Sequence, residues 1–419
     1  ARFRLKPPAS FHWGDNHPPI RLAHSSIKHE LLRHYLRQYL NIVLNVPHRS
    51  SLRLTLFDGF AGGGKFEDSG SLISGTPLIF AEEAASAAEA KSRERGIEFM
   101  IDLWAAEIDP SNFESLSHAF QTSGFLDHFP GEVHLRNCSY EVALAQAVTK
   151  MAKVRGTTGR SIFLFDQTGF NSVNLDHLRA IFKYFQNPEV IMTFSVSWLV
   201  DLAREDPTFL KKVSSLGVKE AELRELLEAK NDWSPRYGGQ KWVRQYISQY
   251  IGAEFDTCFF LKSRPANRDL WLLHFAKNWR ARDAMMATHY EFSNQTHFYG
   301  QAGFEMLGYD PKVDQSQLKF DFTDENSELA SISMLHDLPR SLRDKGGADG
   351  IPLLEVFLRE MNNTPMTFNI FQRGVALARD NKLIEIYSQY GNLRPTARLL
   401  DRRDLIKIPS QKTFWDLLR

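Results

Sequence analysis

The sequence predicts an α/β chain in which a doubly wound, mostly parallel sheet ends in an antiparallel pair and is followed by a smaller α+β module. Three observations carry this. Five short apolar runs each precede a stretch long enough for a crossover helix, the pattern of a parallel sheet covered on both faces. Two later apolar runs are separated by only "RPANR", too short a link to cross over a sheet, so they must pair antiparallel. The first run breaks directly into a glycine cluster, as a chain does where a ligand meets a strand end.

Taken in order, residues 1–24, rich in Pro, His and Gly, read as an irregular arm. From Ser25 a helix is expected, with Ser25 or Ser26 as N-cap and Ile27, Leu31, Leu32, Tyr35, Leu36, Tyr39, Leu40 and Ile42 at helical spacing. Strands are expected at 53–58, 99–107, 132–137, 161–166 and 189–196, with helices between them. A helical, charge-rich insertion at about 199–250 precedes the antiparallel pair, 255–263 and 269–278. Residues 309–350 are polar and turn-rich, reading as a linker or excursion between a sheet domain over 25–308 and a C-terminal module over 351–419. In that module several short helices and a small apolar ribbon suggest a winged-helix-like arrangement.

At 419 residues with 43% hydrophobic and 24% charged composition, the chain has ordinary globular character and room for two or three domains at roughly 100–200 residues each. Lys+Arg 51 against Asp+Glu 50 leaves +1, so no global field recruits nucleic acid or membrane, and any basic surface is local. Such a surplus lies after Gly391, where Arg394, Arg398, Arg402, Arg403, Lys407, Lys412 and Arg419 face Asp401, Asp404 and Asp416. It suits a phosphate backbone, a solvated face or a partner protein. Cys138 and Cys258 are too few for a disulfide framework or zinc site and fit a reducing cytoplasm. No apolar run approaches the roughly 18 to 20 residues that span a bilayer, and "ARFRLKPPASFHWG" lacks the apolar core of a secretory signal. A cytoplasmic, unexported chain is the expectation.

The stretch "LTLFDGFAGGGKF", residues 54–66, admits three readings. As a phosphate loop it offers Gly59, Gly64 and Lys65, with Asp166 as metal-holding acid, but Phe66 stands where a hydroxyl must ligate magnesium. As an S-adenosylmethionine loop it offers Asp58 for the methionine end and close backbone approach along Gly59, Phe60, Ala61, Gly62, Gly63 and Gly64. Glu107, at the next strand end, would take the ribose hydroxyls with Asp109 as competitor, Ile108 would pack on adenine, and Asn137 with Cys138 would edge it. In the third reading the glycines only make a tight turn and the acids cap helices. The antiparallel final pair favours the S-adenosylmethionine reading.

"FLFDQTGFNSV" puts Asp166 at the ligand edge of the fourth strand, where amino-methylating enzymes place an acid or Asn, two prolines and an aromatic ring. The carboxylate would receive the acceptor's hydrogen bond and Phe170 would stack on its base, or pack in the core; Gln167 and Thr168 replace the prolines and Gly169 intervenes. The groups His12, Trp13, His17 and Lys28, His29, His34 lack a ligand set of known spacing and read as surface histidines, so no metal is expected. Rivals from other classes are a non-catalytic S-adenosylmethionine- or nucleic-acid-binding module, a nucleotide hydrolase, and a nuclease using Asp58, Glu107 and Asp166 around a metal.

Together "IKHELLRHYLRQYL", "LFDGFAGGG", "SGTPLIFAEEA", "AAEIDP", "FLFDQTGF" and "LLHFAKNWRARDAM" resemble the three-Cys-motif partner protein family, from about Ser25 to the winged-helix-like tail. The resemblance implies a Rossmann-like class I methyltransferase sheet, S-adenosylmethionine as cofactor, and a separate partner carrying three cysteines. The family's fourth-strand motif typically looks like Asp-Pro-Tyr-Gly; "DQTG" keeps Asp166 and Gly169 and loses the proline and tyrosine. The function expected is methyl transfer, with nucleic acid as acceptor.

Overall fold

A parallel strand sealed on both faces has to be apolar on both. In the computed structural model β1 (Ser51–Asp58) meets this requirement, every residue from Leu54 to Asp58 being buried. The structure describes residues 13, 18–48, 50–153, 159–232, 235–262, 269–292, 324–344, 350–394 and 400–409, in two units, 1–288 and 289–419.

In the first unit β1 is followed by a small hairpin, β2 (Lys65–Asp68) and β3 (Ser71–Ser74), then by β4 (Glu98–Ala106), β5 (Gly131–Arg136), β6 (Arg160–Phe165), β7 (Asn187–Phe194), β8 (Phe255–Lys262) and β9 (Asp269–Ala276). Seven of these form one sheet in the order β5-β4-β1-β6-β7-β9-β8. β1 lies parallel between β4 and β6, so the winding reverses there and the carboxyl ends of three strands open at one edge. β9 runs antiparallel to both β7 and β8, as the short link requires; the link itself lies outside the described residues. The helices α1 (Ala23–Leu44), α2 (Thr76–Arg95), α3 (Pro110–Thr122), α4 (Tyr140–Lys153) and α5 (Leu175–Tyr184) occupy the intervals expected of them. The charge-rich insertion is α6 (Val196–Leu202), α7 (Pro207–Val213), α8 (Glu220–Asp232) and α9 (Pro235–Ile251), and α10 (Trp279–Glu291) follows the sheet.

Two local expectations are corrected, and one element is added. α1 begins before Ser25: its N-cap is Leu22, without a side-chain cap, because the Ser26 N–H already reaches the Leu22 carbonyl at 2.9 Å. Its stripe ends at Leu44, leaving Ile42 43% exposed. The chain after Gly64 does not enter a helix but the β2–β3 hairpin, turned by Ser69 and Gly70, both at positive φ.

In the second unit the segment read as a linker contains α11 (Asp324–Asp344). Its buried apolar residues include Ala330, Met334, Leu338 and Leu342, recurring every four positions, while Ile332 faces solvent, a stripe narrow enough to vanish in polar composition. After it come β10 (Ile351–Pro352), α12 (Leu353–Glu360), α13 (Phe368–Asp380), β11 (Glu385–Tyr387) and β12 (Leu405–Lys407), the strands pairing antiparallel in the order β10-β12-β11. α11 packs closely on α13 at Gly374, where a Cβ would lie 2.2 Å from the Met334 sulfur.

Candidate active site

The end of β1 brings Asp58 to the reversal point, but turns it inward. Its side chain is wholly buried, accepting from the Phe60 N–H at 3.0 Å and from the Thr76 hydroxyl at the start of α2. Burial, with the nearby Asp166 charge, raises its carboxyl to about 7 against the pull of those hydrogen bonds. Asp58 therefore braces the loop and is not offered to a ligand, unlike the role read for it from sequence.

The loop closes on the strand ends by backbone bonds: Gly59 N–H to the Leu164 carbonyl and Ala61 N–H to the Ala106 carbonyl, both 2.9 Å. Phe60 lies tilted on Tyr140, ring centroids 5.4 Å apart. Gly62 and Gly64 take positive φ, 60° and 82°, which favours glycine. The Gly62 N–H donates to Glu107 Oε2 at 2.9 Å, and Glu107 Oε1 accepts from the Asp109 N–H at 2.8 Å. Asp109 itself caps α3 through the Asn112 N–H at 3.0 Å, so of the two acids at this strand end Glu107 faces the loop. Beside it Ile108 is 68% exposed, and Asn137 Nδ2 pins the turn by donating to the Glu107 and Ile108 carbonyls at 2.9 and 3.3 Å. Cys138 is half-buried, its thiol pushed up by that burial.

A residue of the N-terminal arm occupies the other side of the loop. The Trp13 indole fills the space a Cβ would need at Gly62 and Gly63, where the clearance is 2.7 and 2.1 Å. It is anchored by Nε1 donating to the Lys65 carbonyl at 2.5 Å, by its N–H donating to Asn112 Oδ1 at 3.1 Å and by the Ser115 hydroxyl donating to its carbonyl at 3.0 Å. These two glycines are thus required by a protein contact. The loop runs into β2 and not directly into a helix, which departs from the phosphate-loop arrangement of glycine loop and following helix.

Asp166, just past the end of β6, keeps 26% of its side chain exposed. Burial alone would raise it, but the Lys28 ammonium paired with it and the Thr193 hydroxyl at 3.0 Å hold its carboxyl below the ordinary range. Lys28 and His29 belong to α1 and are 6% and 3% exposed, so the surface reading of this pair is corrected. Burial and the neighbouring Lys28 lower His29 to about 3. The signal in the sequence was positional: Lys28 lies three and four residues before Leu31 and Leu32, inside the apolar stripe. His34 keeps a hydrogen-bond partner in Gln38 at 3.2 Å, whereas His12 and His17 lie outside the described residues.

The segment after Asp166 folds on Gln167, whose Oε1 accepts from the Ser172 and Val173 N–H groups at 2.9 and 3.1 Å. Phe170 is 4% exposed, with its ring 6.3 Å from Phe194. It is a core residue, and no acceptor base can stack on it. Among the described residues, Asp102, Glu132 and His134 are grouped as metal ligands would be, but the Lys150 ammonium already lies 2.6, 2.9 and 3.1 Å from their ligand atoms.

No protein-family model matches the chain, and no curated protein sequence does. Solved structures similar to it include Trm1 from Pyrococcus horikoshii in complex with S-adenosyl-L-methionine, 12% identical with a TM-score of 0.31 over 67% of this chain and 61% of that one. The N-terminal domain of human METTL16 in complex with SAH is 10% identical, TM-score 0.25, over 58% and 68%. A putative O-methyltransferase from Klebsiella pneumoniae is 12% identical, TM-score 0.27, over 58% and 80%. The chain spans less than two thirds of the Trm1 chain, and likeness at these scores carries no argument about binding. The sheet order stands on its own hydrogen-bond ladders: parallel strands wound outward from β1 and a reversed final pair, a Rossmann-like sheet.

Proposed function

We propose that the first unit is an S-adenosylmethionine-dependent methyltransferase-like domain acting on nucleic acid. The observation that carries the reading is the carboxylate of Glu107, turned onto the Gly62 N–H at the reversal point with Ile108 exposed beside it. Each carboxylate oxygen accepts more than one hydrogen bond, so Glu107 can receive ribose hydroxyls while keeping its backbone donors. Ile108 offers an apolar surface to adenine, and Asn137 holds both in place. When bound, S-adenosylmethionine supplies an electrophilic methyl group. Asp166, kept ionised by Lys28, accepts a hydrogen bond from the acceptor and fixes its approach.

The helix and strand order of the second unit, α11-β10-α12-α13-β11-β12, supports a winged-helix reading, under which this unit would dock the nucleic acid. The unpaired Cys138 and Cys258 fit a cytoplasmic setting, and the motif resemblance makes a three-cysteine protein a candidate partner. One observation favours a second reading, a binding module without turnover: Lys28 already occupies the acid that an acceptor would use.

Transfer of labelled methyl groups to total RNA, DNA and protein separates the two. Label on a nucleic acid, lost in Asp166→Ala, is the expected result. Retained cofactor binding with no acceptor class labelled would leave only the binding module.

A further inference from the structure

The second unit carries an aromatic side chain that its own core does not use. β11 leaves the sheet into a tight turn in which the Ser388 N–H donates to the Asn392 carbonyl at 2.8 Å and the Gly391 N–H to the Ser388 carbonyl at 2.9 Å. Gly391, at φ 84°, permits the reversal, and Tyr387 and Leu393 bridge across it. The turn is therefore fixed by its backbone, yet its tip presents Tyr390 82% exposed and Leu393 58% exposed. A rigid turn that holds a ring in water loses little entropy when that ring is covered.

Two exposed arginines lie close by. Arg403 donates to Gln389 Oε1 in the turn at 3.2 Å and, with its exposed neighbour Arg402, lines a cleft of about 530 Å³ against Leu354 and Leu358 of α12. Lys407 lies 5.1 Å over the Tyr387 ring. Of the acids here, Asp404 is wholly buried against Arg394, the exposed Asp401 accepts from the Arg403 N–H at 2.9 Å, and Glu355, which lines the same cleft, is paired with Arg359. An open ring on a turn held by Arg403, with neither the Arg402 nor the Arg403 guanidinium ion-paired among the described residues, is an arrangement that can stack an unpaired base and hold its phosphates. A protein-docking face would be a broad apolar patch, whereas here Tyr390 and Leu393 stand among Gln389, Asn392 and the arginines.

We propose that the Tyr390 turn, with Arg402 and Arg403, is a binding site for single-stranded nucleic acid in which a base stacks on the Tyr390 ring. The proposal rests on the nucleic-acid reading given above and names the form of the ligand and the residue that meets it. Duplex is a poor ligand, because its base faces are closed by their neighbours.

The test is fluorescence anisotropy of the full chain with a labelled single-stranded oligonucleotide of mixed sequence and with its duplex. Tighter binding of the single strand is expected, weakened about tenfold by Tyr390→Ala and kept by Tyr390→Phe, since any aromatic face stacks. Replacing Arg402 and Arg403 by Ala lowers the slope of log affinity against log salt by about 1.4. Single-strand binding unchanged in Tyr390→Ala overturns this inference and leaves the broader reading intact, as does an equal loss in Tyr390→Phe. No binding of either oligonucleotide by a chain that still binds cofactor overturns both, and capture of a protein by the same turn, lost in Tyr390→Ala, would replace them.

Discussion

Asp58 and Asp166 stand on adjacent strand ends and titrate in opposite directions because only one of them has a cation. Asp58, without a partner charge of its own, is raised from 3.8 to about 7 by burial, so the folded state binds its proton more tightly than the unfolded chain does. That contribution to stability is present at low pH and is lost as pH rises from about 4 to about 7, on the order of 4 kcal/mol at most. Asp58→Asn should remove it: thermal melts at pH 5 and pH 8 are expected to differ less in the variant than in the parent, and equal differences would contradict the assignment. Asp166 behaves the other way, contributing above its ordinary range and losing that contribution as pH falls. His29, neutral in the fold, adds a loss in the same direction below its ordinary 6.5. Lys28→Met should cost about 1 to 3 kcal/mol by denaturant titration, less than a fully buried pair because Asp166 is partly exposed. Residue types at strand ends were legible in the sequence, which placed Glu107 and Asp166 just past the ends of β4 and β6. Their partners were not, because Lys28 comes from a helix far away in sequence.

Elements were read well where their period was strong. The five parallel strands and the reversed pair appear within a residue or two of their predicted bounds, since a strand sealed on both faces must be a continuous apolar run. The β2–β3 hairpin was missed because "KFEDSGSLIS" is half exposed and short, and α11 because its buried face is narrow and partly polar, with Ser327 and Ser331 in it. The glycine loop was recognised, but the demand on Gly62 and Gly63 comes from Trp13, whose place on the loop nothing local announces. That contact makes a sharp prediction. Gly63→Ala should cost about 1 to 3 kcal/mol in the parent chain and close to nothing in a Trp13→Ala background, as measured by a double-mutant cycle on denaturation midpoints. Additive costs would show that the indole is not what the glycine accommodates. In the second unit Met334→Ala, which empties the contact with Gly374, should cost about 2 to 5 kcal/mol.

At the scale of the whole molecule, a net charge of +1 leaves function to local sites, and none of the described helices is long and apolar enough to cross a membrane. The first unit offers a carboxylate, a glycine loop and an exposed isoleucine at a sheet reversal; the second offers an exposed ring and arginines on a fixed turn. The central claim concerns the first: the loop after β1, with Glu107 against Gly62, receives an adenosyl sulfonium compound and not a triphosphate. Isothermal calorimetry of the full chain with S-adenosylmethionine, and separately with ATP and magnesium, tests it most directly. Heat with S-adenosylmethionine that disappears in Glu107→Ala, with ATP silent, is the predicted result; heat with ATP and magnesium alone would contradict it.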